Sequence, residues 1–132
     1  MPDVNWIAVA LCAVSSLMLG GIWYSPLLFA KPWQGAAGLS EDQAASGNMA
    51  VILGVTFLLS LVAAAVFAIF LGRDMGFGPA TAAGFSAGLC WVGAAFGINY
   101  LFERRPLKLW LINGGYHTLQ FTLFGMILGA MR

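Results

Sequence analysis

Charged residues are scarce in this chain of 132 residues, and their scarcity narrows the class of protein. Only 8% of the residues are Asp, Glu, Lys or Arg, whereas 61% are hydrophobic. A soluble domain has roughly 25% charged and roughly 45–50% apolar residues, so too few charges are present here to cover a water-exposed surface. The net charge of +1 and the lack of a basic stripe argue against nucleic-acid binding. The composition indicates an integral membrane protein.

Residues that ligate metals or act as nucleophiles are also few. The chain has one histidine, His117, two distant cysteines, Cys12 and Cys90, and no carboxylate deep within an apolar segment. Both cysteines lie inside apolar runs, where a cysteine is typically a small packing residue. We therefore expect no disulfide, no metal site and no cofactor. Because no nucleophile–base pair is evident, the sequence also indicates that the protein is not an enzyme.

Long apolar segments occur four times, and each is long enough to cross a bilayer as a helix. They cover residues 4–25, 48–71, 79–101 and 106–131. The first is too long for a signal peptide, and no Lys or Arg precedes it, so we expect an uncleaved span. The sequence predicts an all-α polytopic membrane protein, with residues 1–132 forming a single domain of four transmembrane helices.

The first loop is predicted to contain a short interfacial helix. Ser40-Glu41-Asp42-Gln43 has the order of a capping box, in which the Ser40 hydroxyl caps the helix and Gln43 bonds back to Ser40. Trp6, Trp23, Trp33 and Trp110 lie near span ends, where indole rings favour the headgroup level. We interpret these tryptophans as interfacial anchors.

Positive charges favour one orientation of the spans. Four spans place loops 1 and 3 on one side, and both termini and loop 2 on the other. The termini and loop 2 contain Arg73 and Arg132, whereas loops 1 and 3 contain Lys31, Arg104, Arg105 and Lys108. The positive-inside rule then puts loops 1 and 3 in the cytoplasm and both termini outside. We expect a multi-pass protein of the cell membrane, the inner membrane in a bacterium.

Small residues recur at helical spacing in the last two spans. Such residues let helix backbones approach closely in lipid. Gly84, Gly88 and Asn99 of the third span lie along one side of the predicted helix. We assign seven residues to helix packing: Gly84, Gly88, Gly114, Thr118, Thr122, Gly125 and Gly129.

A polar seam runs beside the small residues of the last span. Asn113, His117 and Gln120 lie at positions i, i+4 and i+7, and Asn99 of the third span is a candidate neighbour. In one interpretation the seam hydrogen-bonds helices together, with Ser15, Ser16 and Tyr24 of the first span as partners. In the other, the four residues bind a ligand or line a pore, and His117, with an ordinary pKa of about 6.5, handles a proton.

Two parts of the chain resemble each other. Gly21-Ile22-Trp23-Tyr24 ends the first span and Gly97-Ile98-Asn99-Tyr100 ends the third. After a short gap or none, each is followed by Leu-Phe, one further residue, a basic residue and a proline. One interpretation is a duplicated pair of helices in parallel orientation. The other is chance similarity in a chain built from few residue types.

Residues 21–29 (GIWYSPLLF) and 99–106 (NYLFERRP), the latter running on to 113–117 (NGGYH), resemble a known family. Its members are small bacterial and fungal four-span membrane proteins catalogued as a domain of unknown function. The resemblance covers nearly the whole chain and implies a compact four-helix membrane protein. It implies no activity, substrate or catalytic residue.

Two functions are consistent with these patterns. The first is permeation of a small solute or ion through an oligomeric helical bundle. The second is a non-catalytic structural or assembly role, as an accessory subunit of a larger membrane complex. In both, the expected partners are membrane lipids and further copies of the chain, as a dimer or trimer, and not nucleic acid.

Overall fold

A computed structural model describes residues 3–40, 42–43 and 47–131 of the chain. These residues form helices and connections without a strand, so the prediction of an all-α fold is confirmed for them. The helices are α1 (Trp6–Trp23), α2 (Ala30–Ala37), α3 (Met49–Leu71), α4 (Phe77–Glu103) and α5 (Leu107–Ala130). By length and composition, α1, α3 and α4 can each cross a membrane.

The last helix, α5, has 24 residues and is also long enough to cross a bilayer. Its polar residues lower its mean hydropathy, so by composition α5 is less apolar than α1, α3 and α4 and does not join them as a candidate span. It nevertheless lies at the centre of the fold, where it packs against α4, α1 and α2, while α3 packs mainly on α1. Phe124 of α5 is fully buried in the core beside Val9, Cys12 and Phe67.

The two ends of the described chain lie together. The side chain of Asn5 caps α1 by accepting the N–H of Ala8 at 3.1 Å, and its Nδ2 donates to the carbonyl of Met131 at 2.6 Å. Arg73, after α3, pairs with Asp3 at 3.1 Å. The start of α1, the end of α3 and the end of α5 therefore share one end of the bundle. Arg132, which enters the charge comparison, lies outside the described residues.

The first loop differs in part from its predicted structure. A helix, α2, occupies Ala30–Ala37 and ends at Gly38, whose φ of 76° closes it in the left-handed conformation. The predicted capping box has both of its bonds: Ser40 N–H donates to Gln43 Oε1 at 2.9 Å and Gln43 N–H donates to Ser40 Oγ at 3.1 Å. Glu41 and residues 44–46, to which the predicted helix would extend, lie outside the described residues.

The middle of α4 is a π-helix over Ala87–Gly93, where N–H groups bond five residues back, as Ala94 does to Leu89. A π segment inserts about one residue relative to an α-helix, which turns the following half by about 100°. Tyr100 therefore faces α5, and Asn99 lies on the exposed side. The expectation that Asn99 shares a face with Gly88 is wrong, because it assumed an unbroken α-helix.

Candidate functional site

Glycines bring α4 and α5 into backbone contact. A methyl group at Gly84 would collide with the carbonyl of Phe121, and one at Gly125 would collide with the carbonyl of Ala80. A methyl at Gly88 would lie 2.6 Å from the carbonyl oxygen of His117, and one at Gly129 would lie 2.8 Å from Phe77 Cα. The two helices thus run antiparallel in close contact, and this contact fixes where the polar residues of α5 lie.

The other residues assigned to helix packing serve α5 itself. The hydroxyls of Thr118 and Thr122 donate to the carbonyls four residues back, Gly114 at 2.7 Å and Thr118 at 2.6 Å. Gly114 lies beside the indole of Trp110 on its own helix. These bonds satisfy both threonine hydroxyls within the helix, so neither hydroxyl needs water or a partner helix.

Asn113 joins three helices through one amide group. The hydroxyl of Tyr24, just after α1, donates to Asn113 Oδ1 at 2.6 Å, and Asn113 Nδ2 donates to the hydroxyl of Tyr100 on α4 at 2.8 Å. Tyr24 and Tyr100 occupy matching places in the repeated Gly-Ile-x-Tyr pattern. The two tyrosines therefore bond to the same amide, Tyr24 to its oxygen and Tyr100 to its nitrogen.

Gln120 connects His117 to α1. Its Nε2 donates to the hydroxyl of Ser16 at 2.9 Å, and its Oε1 lies 2.7 Å from His117 Nδ1. Since the amide oxygen only accepts, Nδ1 must carry the proton of this bond. A neutral His117 therefore has its lone pair on Nε2. The hydroxyl of Tyr116 also reaches α1, where it donates to the carbonyl of Ser16 at 2.9 Å.

The Nε2 atom of His117 is the free polar position in this cluster. Within residues 3–40, 42–43 and 47–131, no fully buried side-chain nitrogen or oxygen lacks a hydrogen-bond partner. His117 makes its hydrogen bond through Nδ1, so its Nε2, without a described partner, is not fully enclosed. His117 follows Leu107 by ten residues, which places it about 15 Å along α5. An acceptor is thus available near the middle of the helix.

Aromatic rings cover His117 on two sides. Phe96 of α4 stacks on the imidazole with ring centroids 5.0 Å apart and an interplanar angle of 15°. Tyr116 meets it edge-on, with centroids 4.9 Å apart. Tyr116 in turn contacts the ring of Tyr24, with centroids 5.6 Å apart. His117 is therefore packed against protein on these sides, and Phe96 is the ring from α4 that covers it.

Asn99 lies apart from the other predicted site residues. It is exposed at one side of an open groove of about 330 Å³ on α4, lined by Trp91, Val92, Ala95, Phe96 and Asn99. It has no hydrogen bond to any residue that the structure describes. The structure thus brings together Asn113, His117 and Gln120, and separates Asn99 from them. Phe96 belongs to both places, since it lines the groove and stacks on His117.

Several partners of the seam differ from those expected. Ser16 and Tyr24 do bond to it, whereas the hydroxyl of Ser15 donates to the carbonyl of Cys12 on its own helix. Two tryptophans interpreted as anchors also donate between helices: Trp23 to the carbonyl of Ile112 and Trp110 to the carbonyl of Gly93, both at 2.8 Å. Tyr100 was not expected, although the repeated Gly-Ile-x-Tyr pattern marks it as the counterpart of Tyr24.

Comparison with known proteins identifies a family. Residues 7–129 match the family described as "Protein of unknown function (DUF1761)", a match that runs from α1 to α5. No curated protein and no solved structure matches the chain. In the described part of the chain, no group of three or more His, Cys, Asp or Glu residues is placed to hold a metal ion.

Proposed function

The chain belongs to the DUF1761 family of proteins of unknown function, and from that premise we propose a four-span membrane protein that passes a small polar solute or ion at His117. The observation that carries the proposal is the unpartnered Nε2 of His117, near the middle of α5. Ionisable groups at membrane depth are costly and are usually kept for a pathway or a ligand. The proposal requires no catalysis, cofactor or metal.

The close pairing of α5 with α4 supports four spans. Contacts between the two helices run from Gly129 beside Phe77 at one end to Asn113 at Tyr100 near the other. This pairing over most of their length supports the proposal that α5 crosses the membrane together with α4. The bond from Asn5 to the carbonyl of Met131 agrees, because an even number of spans returns the chain to the side from which it started. The polar residues of α5 are compatible with a span, because most of their bonding groups have partners within the protein.

We further propose that α2 lies at the membrane surface, on the cytoplasmic side. Its eight residues are too few to cross a bilayer, and it follows directly on the end of α1. Loops 1 and 3 carry most of the basic residues, and Arg105 donates to the carbonyl of Ala37 at the end of α2. The positive-inside rule then favours a cytoplasmic position for these loops, beside anionic lipid headgroups.

A homo-oligomer, a dimer or trimer, is also part of the proposal. The glycines of α4 and α5 are used within the chain, so they do not support an interface between copies. The open groove on α4 supports an interface between copies, because it presents the unbonded amide of Asn99 beside apolar walls. A monomeric mass in native lipid or mild detergent would refute this part.

The test of the proposed function is a flux assay with the purified chain in lipid vesicles. Protons, alkali cations and small neutral solutes would be offered in turn, with His117→Ala as the variant and Ser15→Ala as the matched control. We expect a flux that His117→Ala abolishes and Ser15→Ala retains, with the oligomeric mass unchanged in both. Equal flux in the wild-type chain and His117→Ala, or no flux of any of these solutes, would refute the proposal.

A second candidate function is assembly, as an accessory subunit of a larger membrane complex. It is favoured by Asn113 and Gln120, whose amide groups are both used in bonds inside the chain. A solute pathway would leave such groups free for water. This alternative predicts that Asn113→Leu releases the chain from a co-purifying complex, and that vesicles containing the wild-type chain show no flux.

A further inference from the structure

The register of α4 beyond its π segment decides which side chains cover the polar seam. In the present register Phe96 stacks on His117 and Tyr100 bonds to Asn113. In an unbroken α-helix, the positions seven and eleven residues beyond Gly88 would return to the face that Gly88 occupies. Those positions are Ala95 and Asn99. The π segment thus places two aromatic rings where an α-helix would place a methyl group and an amide.

We propose that α4 interconverts between this π-containing register and an unbroken α-helix, and that the change uncovers His117. In the second register Ala95 replaces Phe96 over the imidazole, and Asn99 replaces Tyr100 beside Asn113. Asn99, Asn113, His117 and Gln120 then line one space. The site is that of the proposed function, but the register change does not depend on any solute being passed.

The first half of α4 can stay in place during the change. Gly84 and Gly88 are interlocked with Phe121 and His117, whereas Ala94–Glu103 must turn by about 100°. Gly97 lies on the turning part and Gly93 directly before it, and neither carries a side chain that has to pass α5. The closest contacts between the two backbones, Gly84 with Phe121 and Gly125 with Ala80, both lie in the half of α4 that stays fixed.

Two features bear on the balance between the registers. The indole of Trp110 donates to the carbonyl of Gly93, the last residue of the π segment, at 2.8 Å, and this bond holds the present register. Arg104, directly after α4, has a φ of 60°. Left-handed backbone is unfavourable for a residue with a Cβ, so the short loop that limits the turn is strained in the present register. We expect the α-register as a minor state, populated at about 0.1–10%.

Cross-linking with a bifunctional thiol reagent separates the two registers. In a chain carrying Cys12→Ala and Cys90→Ala, one variant adds Tyr100→Cys and Asn113→Cys, and another adds Asn99→Cys and Asn113→Cys. A bifunctional thiol reagent with a spacer as long as the side-chain bridge between Tyr100 and Asn113 should link the first pair quickly and the second pair more slowly in membranes, as scored by mass spectrometry of the linked peptides. Absence of the link between positions 99 and 113 would overturn the proposal. This measurement uses only side-chain substitutions.

Deletion of residue 90 provides the matched control. Removing one residue lets an unbroken α-helix keep both halves of α4 on their present faces, so the second register is no longer reached. We expect the link between positions 99 and 113 to form at least about ten-fold more slowly after the deletion, equivalent to about 1.4 kcal/mol. The link between positions 100 and 113 should persist. Equal rates for positions 99 and 113 with and without the deletion would overturn the proposal.

Water access to position 117 gives a second measurement. In the same cysteine-free background, His117→Cys should react with a water-soluble thiol reagent, and Trp110→Phe should speed that reaction about five-fold by removing one hydrogen bond. Identical labelling rates with and without Trp110→Phe would contradict the proposal. A chain that shows both registers but no solute flux would refute the proposed function and support the register change.

Discussion

Asn113 illustrates how a long, largely apolar helix accommodates a polar side chain. Its amide accepts from Tyr24 and donates to Tyr100, so both of its groups are satisfied by residues from other helices. The presence of the seam was evident from the sequence, because Asn, His and Gln are unusual in an apolar span and recur on one helix face. Its partner on α4 was not evident, because that partner depends on the turn that the π segment introduces.

Replacing Asn113 with leucine should destabilise the bundle. Asn113→Leu leaves the hydroxyls of Tyr24 and Tyr100 without partners, and each lost bond costs about 0.6 kcal/mol, up to roughly 2. We expect a loss of about 1–3 kcal/mol in unfolding free energy, measured by denaturant titration in detergent micelles. Asn99→Leu is the matched control and should be close to neutral, because Asn99 is exposed and bonds to no described residue. Equal losses in the two variants would contradict the hydrogen bonding seen here.

The sequence predicts where each helix begins and ends better than it predicts which side chains face the neighbouring helices. Segments 4–25 and 106–131 correspond to α1 at Trp6–Trp23 and α5 at Leu107–Ala130, because apolar length and proline placement limit where a helix can run. The π segment leaves no such trace, since Ala87–Gly93 is as apolar as its flanks. The helix α2 was missed because its sequence, AKPWQGAA, contains proline and glycine and has no long apolar run.

The antiparallel contact between α4 and α5 should be sensitive to a single methyl group. Gly125→Ala would push Cβ into the carbonyl of Ala80, and because that neighbour is backbone, the helices must separate. Overpacking of this kind costs about 1–3 kcal/mol, which a lowered melting temperature in detergent would report. Gly54→Ala on α3 is the control: a methyl there has no atom within 4 Å, and alanine favours a helix over glycine by about 1 kcal/mol. A stable Gly125→Ala chain would mean that α4 and α5 are less closely packed.

At the scale of the whole molecule, the fold resembles two helix pairs that share one amide. α1 packs with α3 and α4 packs with α5, and the related tyrosines Tyr24 and Tyr100 both bond to Asn113. Both duplication and chance remain compatible with the repeated Gly-Ile-x-Tyr pattern, because Asn113 itself has no counterpart in the other pair. The two pairs are not packed alike, because the glycine interlock belongs to α4 and α5.

The ends of the bundle provide a test of both span number and orientation. Gly35 on α2 and Gly78 at the start of α4 are exposed and have open space around them, so in a background with Cys12→Ala and Cys90→Ala each accepts a cysteine. Met131 lies at the same end as Gly78, because Gly129, two residues before Met131, lies beside Phe77 at the start of α4. An impermeant thiol reagent added to whole cells should label Gly78→Cys and Met131→Cys but not Gly35→Cys, since loops 1 and 3 carry the basic residues. Labelling of Gly35→Cys alone would reverse the orientation, and labelling of Gly78→Cys without Met131→Cys would mean that α5 does not cross.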